Sequence, residues 1–142
     1  MIVGVDRVDV VLANNIVAGV FREHRVAFIH GDLHLERVFI DDDEVTGIID
    51  WPEARQGDAL FDIASMTLAN DHRLGDLVAG YGRPVDLEVV RAWWSCRCLL
   101  GVRWLVENGY GAPESLPEVS VLRAAARERS RRGSRAFRDR AD

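Results

Sequence analysis

Not one lysine occurs in this chain; all eighteen of its basic residues are arginine. A GxxxxGK[ST] phosphate loop is therefore impossible, and no GxGxxG stretch is present either. Long apolar runs are also missing, since none approaches the roughly 18 residues that a membrane helix needs. The amino terminus has no cationic run and carries Asp6 and Asp9, which argues against a signal peptide. Cysteine is scarce. Cys96 and Cys98 stand two apart, would face different sides of a helix, and match no CxxC metal or redox pattern. A reduced, cytoplasmic protein is the simplest reading.

What is present is enough apolar material, 48% of 142 residues, for one compact domain. The net charge of −5 is uneven, because arginines crowd the last twenty residues and leave the body more acidic than the total suggests. An acidic body suits a cationic small molecule. Arg123, Arg127, Arg129, Arg131, Arg132 and Arg135 have only Phe137 as a nearby aromatic, so they read as a solvated helix end and not as a nucleic-acid surface. Neither nucleic acid nor a membrane is expected as a partner.

Apolar spacing lays out the chain. Val8, Leu12, Ile16 and Val20 recur every four residues and predict a helix from Asp6 to near His24. A brief β-type run covers Arg25–Ile29. Asp58 opens a helix from Ala59 to about Ala69, and a short helix follows over Asp71–Ala79. Asp86 caps a long helix from Leu87 to about Glu107, whose apolar residues cover more than one face and predict a buried central helix. Trp93, Trp94 and Trp104 read as core or pocket wall. A last helix spans Glu118 to about Arg129, and residues 131–142 read as a frayed, arginine-rich tail. The layout is a mostly helical α+β domain over residues 1–130, with one β-hairpin.

That hairpin lies inside the most informative stretch, Val26–Asp62. Val38–Ile40 and Val45–Ile49 form two short strands, and Asp41, Asp42 and Asp43 make the turn. Closure at Asp42–Asp43 pairs positions that sum to about 85. Arg37 then faces Ile48, and Asp32, Arg37 and Asp50 converge at the open end. Pro52 ends the second strand because it cannot donate to a ladder, and Glu53–Gly57 reads as a loop.

His30-Gly31-Asp32-Leu33-His34, an apolar strand, an acidic turn, Ile-Ile-Asp50-Trp51 and then Gly57-Asp58 resemble the C-terminal lobe of the aminoglycoside phosphotransferases, which are protein-kinase-like small-molecule kinases. The resemblance is specific over roughly Val26–Ala69 and weaker through Trp104. It implies transfer of the ATP γ-phosphate to a hydroxyl of a small acceptor, with ATP and magnesium as cofactors. By the same resemblance Asp32 is the base and Asp50 the magnesium ligand. His30 supports the loop from behind. Asp58 stands for the buried acid that accepts backbone N–H bonds from the catalytic loop, and Trp51 packs under the metal site.

Two departures stand out. The family places Asn, a ligand for a second magnesium, where this chain has Arg37, and a guanidinium has no acceptor atom. The family's amino-terminal lobe brings a phosphate-pairing lysine, yet only about thirty residues precede His30 and no lysine occurs anywhere. The expectation is a lobe that is a weak kinase or none by itself, completed by a separate chain or prone to self-association through an apolar face around the hairpin. Two other readings come from different classes. One is a non-catalytic module that binds the acceptor or a partner. The other is a metal-dependent hydrolase using His30, Asp32 and His34, which alternate as strand-borne zinc ligands would. His24 and His72 read as surface residues.

Overall fold

The computed structural model describes residues 20, 22–110 and 117–138. The helix expected over Asp6–His24 falls mostly outside these residues, and Arg22–Arg25 are irregular. Two compact units are present, Arg22–Trp94 and a second made of 1–21 with 95–142.

In the Arg22–Trp94 unit, strand β1 (Val26–Ile29) is followed by a 3-10 turn at Leu35–Arg37 and the hairpin strands β2 (Val38–Asp41) and β3 (Glu44–Ile48). Strand β4 (Arg55–Asp58) leads directly into helix α1 (Ala59–Thr67). Another 3-10 turn, Asp71–Arg73, precedes α2 (Leu74–Tyr81), and α3 runs Leu87–Glu107, its first eight residues in this unit. Both sheets are two-stranded and antiparallel, β1 with β4 and β2 with β3. The α+β class and the β2–β3 hairpin are as expected, but the second two-stranded pair, β1 with β4, was missed. Arg55-Gln56-Gly57-Asp58 carries no strand-favouring residue, and its extended form comes from pairing with β1, Val26 opposite Asp58 and Ile29 opposite Arg55.

Asp42 and Asp43 hold φ values of 47° and 65°, the left-handed pair that a two-residue hairpin turn demands. Beside the turn, Ile40 faces Val45 and Asp41 faces Glu44, both summing to the expected 85. A bulge between Phe39 and Ile40 then moves the register, so Val38 faces Ile48. Arg37 consequently lies across from Ile49, whose N–H donates to the Arg37 carbonyl at 3.1 Å, and not across from Ile48.

The core of this unit is helical. Leu60, Ile63, Ala64, Leu74, Val89 and Val90 form one buried cluster, with Leu77, Val78, Val85, Trp93 and Trp94 packed around it. Trp94 Nε1 donates to the Ala64 carbonyl and Thr67 Oγ1, both at 3.1 Å, which ties α3 to the end of α1. The start of α3 is capped as expected, with Asp86 Oδ1 accepting from the Glu88 and Val89 amides. Gly82, at φ 68°, ends α2 in the left-handed conformation that glycine adopts without strain.

In the second unit, Cys98 and Val102 are buried on the rest of α3, and Val119, Leu122 and Ala126 on α4 (Pro117–Arg138). Burial pushes the Cys98 thiol up to about 12, helped by Glu118 and opposed by Arg97, so it is unreactive near neutrality. Helix α4 continues to Arg138, past the expected end near Arg129. Trp104, read as core or pocket wall, is 55% exposed and stacks on Tyr110, which excludes the core half of that reading. Among the described residues no helix is long and apolar enough to cross a membrane.

Candidate functional site

The loop between β1 and the hairpin is held from below by polar ties. Asp62, on the first turn of α1, accepts from the His30 amide at 2.7 Å and from the Gly31 amide at 2.9 Å, one on each carboxylate oxygen. A carboxylate that takes two backbone donors sets the local peptide planes, because bonds to an ionised acceptor are shorter and stronger than neutral ones. Gly31 must be glycine on two counts. Its φ is 84°, and a Cβ there would collide with the Glu53 carbonyl and the Arg55 guanidinium.

His30 is buried, and both its ring nitrogens are used. Nε2 donates to the Ile49 carbonyl at 2.9 Å, while Nδ1 accepts from the Asp32 amide at 3.3 Å. Those partners assign the Nε2–H tautomer and brace the loop against the end of β3. Trp51 packs on the His30 ring at 4.7 Å and stacks with Phe28 at 6.1 Å, and its Nε1 donates to the Ile48 carbonyl. It is therefore a wall beside His30.

Above this base stand the three groups that the hairpin brings together. Arg37 Nη1 donates to the Asp32 carbonyl and to Asp32 Oδ2. Its Nη2 lies 2.8 Å from Asp50 Oδ2. His34 Nε2 sits 3.0 Å from the other Asp32 oxygen, Oδ1. Asp50 itself adopts φ 69°, a left-handed conformation that turns its carboxylate back toward Arg37 and that Asp tolerates better than most residues. The hydrogen bond that Arg37 donates to Asp32 raises the Arg37 pKa above its ordinary value; burial opposes this, and the charges of Asp32, Asp50 and Glu36 reinforce it.

Asp58 has a different job from the one expected. Its Oδ1 caps α1 through the Leu60 amide at 3.1 Å, the N-cap role read from the sequence. Its Oδ2 takes Arg22 Nη1 at 2.8 Å and Trp93 Nε1 at 2.9 Å. Burial alone would push this carboxyl up, but the donors from Arg22, Trp93 and Leu60 outweigh it and hold the pKa below its usual value. The acid that grips the backbone of the loop after β1 is Asp62. Only Asp58 of GDALFD was singled out in the sequence and Asp62 was missed; capping geometry tells them apart, since an N-cap aspartate spends its side chain on its own helix.

The zinc reading fails on the same geometry. Residues 30–34 form a loop and not a strand, and both His30 nitrogens are committed. Among the described residues no group of three or more His, Cys, Asp or Glu side chains could hold a metal ion. Magnesium fares little better with the residues as they stand. Asp50 is a single carboxylate with Arg37 on one oxygen, and position 37 offers only donors. The donor set does not fit a divalent metal.

Comparison with known proteins gives a family and a fold. A family model for the phosphotransferase enzyme family (APH) matches residues 5–93, more than half of the chain. The chain belongs to that family. The crystal structure of a thermostable mutant of aminoglycoside phosphotransferase APH(4)-Ia, in its apo form, is similar over 89% of this chain with a TM-score of 0.69 and 20% sequence identity. That likeness establishes a shared fold. This phosphotransferase-family chain covers 46% of the solved one, about half its length. No curated protein matches it.

Proposed function

We propose that this family member carries the acceptor side of an ATP-dependent phosphotransferase site for a small hydroxylated molecule of the aminoglycoside type, and that these 142 residues alone transfer phosphate weakly or not at all. In this reading Asp32 orients the acceptor hydroxyl and takes its proton. The hydroxyl oxygen bonds to the γ-phosphorus of ATP, the bond from that phosphorus to the bridging oxygen breaks, and ADP leaves. The family match supports the reaction class. Asp32 supports the role, since its side chain remains about a quarter exposed on a loop fixed by Asp62 and His30.

The observation that carries the weak-activity half is Arg37. Phosphoryl transfer depends on positive charge placed around the phosphates. Here the one cation shown between the two carboxylates is bonded to both of them, and no lysine exists to add another. The same observation favours a second reading, a non-catalytic module that binds the acceptor.

An ADP-release assay on a panel of aminoglycosides, beside calorimetric titration of each, tests both. Turnover should fall at least about a hundredfold below the roughly 1–100 per second usual for kinases. Asp32→Ala should remove what remains and leave acceptor binding mostly intact. Ordinary turnover would sink the weak-kinase reading. Residual turnover that survives Asp32→Ala would remove Asp32 from the chemistry, and acceptor binding with no turnover at all would leave the binding module.

A further inference from the structure

We infer that Arg37 is the built-in cation of this site, and that it closes the Asp32–Asp50 pair to divalent metal ions. The inference rests on taking these residues as the phosphotransfer site. Two carboxylates facing one opening would repel each other and invite a cation. Here one guanidinium answers both, Nη1 on Asp32 and Nη2 on Asp50 Oδ2 at 2.8 Å. The fork geometry of arginine suits this bridging, and its charge cannot be lost by deprotonation at any working pH.

A divalent ion that approached Asp50 would have to displace Nη2 from Oδ2. It would then share the opening with a full positive charge on a side chain still tied to Asp32 through Nη1. Magnesium and manganese also want several oxygen ligands around them, and position 37 presents nitrogen donors only. His30 cannot substitute, because its nitrogens are spent on Ile49 and Asp32. His34 is turned to Asp32 Oδ1. The tether that fixes the carboxylates thus excludes the ion they would otherwise attract. Any phosphate-bearing ligand that enters would meet a guanidinium in place of a metal.

The test uses Mn2+ alone, with neither nucleotide nor acceptor, so it stands apart from the phosphotransfer assay. Electron paramagnetic resonance reports free Mn2+ in the presence of the whole chain, and amide line broadening reports where any bound ion sits. The native chain should leave Mn2+ free, with the Asp32 and Asp50 amides sharp. Arg37→Asn, which removes the charge and adds a carbonyl oxygen, should bind Mn2+ at least about tenfold more tightly than the native chain. The double change Arg37→Asn with Asp50→Asn should lose that gain. Broadening of the Asp50 amide in the native chain would overturn the inference without any variant. A folded Arg37→Asn chain that gains nothing would overturn it as well.

Discussion

The helical part of the Arg22–Trp94 unit and the β2–β3 hairpin are both rich in apolar residues, yet they are held in different ways. Helix α1 buries Leu60, Phe61, Ile63 and Ala64, with Ile63 only 5% exposed. The hairpin buries none of its strand residues, and Ile40 is 65% exposed. Packing therefore fixes the helices, whereas the hairpin and its neighbouring loop take their positions from hydrogen bonds. The ties are few and specific: Asp62 to the His30 and Gly31 amides, His30 to the Ile49 carbonyl, and Arg37 between Asp32 and Asp50. A site built this way is anchored in a rigid helix while its upper wall stays accessible, which suits a surface that must admit a ligand.

One change made in both places would break or sharpen this contrast. Ile63→Ala should cost about 2–5 kcal/mol, because burial is lost and a cavity is left in the cluster. Ile40→Ala removes the same atoms from an exposed strand and should cost less than about 0.5 kcal/mol. Urea unfolding midpoints would check both. Equal losses would mean that the hairpin is covered in solution, and the contrast would collapse.

Asp62→Ala addresses the tie between the two regions and should cost about 2–3 kcal/mol, since two amides lose a charged acceptor. Its sharper signature is local. Hydrogen exchange at His30 and Gly31 should accelerate beyond the global loss of stability, while the Leu60–Ala64 amides follow the global change. Unchanged relative protection at His30 and Gly31 would show that packing of the His30 ring, and not Asp62, holds the loop.

Much of this was readable from residue types. The Asp42–Asp43 turn, the Asp86 and Asp58 caps and the convergence of Asp32, Arg37 and Asp50 each follow from local chemistry that the sequence displays. The misses share a cause. A bulge adds one residue to a strand without changing its composition, so the shift from Ile48 to Ile49 opposite Arg37 had no sign. Strand β4 is extended because β1 pairs with it, and RQGD by itself resembles a loop. The side chain of Ile29 fills the space where a Cβ of Gly57 would lie, a constraint visible only once the strands are paired. Asp58 and Asp62 differ by one helical turn, and only the geometry of the cap assigns them.

Of the two buried ties to α1, the smaller expected effect concerns Asp58, and its sign follows from the lowered pKa. A carboxyl whose folded pKa lies below its unfolded value of 3.8 adds stability that is complete above that value and is lost as pH falls through the folded pKa. Asp58→Asn keeps one side-chain oxygen, which still caps Leu60, but sets an amide nitrogen where Oδ2 accepts from Trp93 and Arg22, and it removes the charge facing Arg22, which is about a third exposed. With solvent screening of that pair, the loss at pH 7 should be about 1 kcal/mol. The gap between native and variant chains, read from urea unfolding at a series of pH values, should hold steady down to about pH 4 and then narrow. A gap that persists in acid would place the value of Asp58 in its neutral hydrogen bonds, and the helical base of the site would then owe nothing to charge. A gap that closes would mean that the base and the opening use one device, a carboxylate held by arginine, with the difference that Asp58 is buried around a helix start and Asp32 is left where a ligand can reach it.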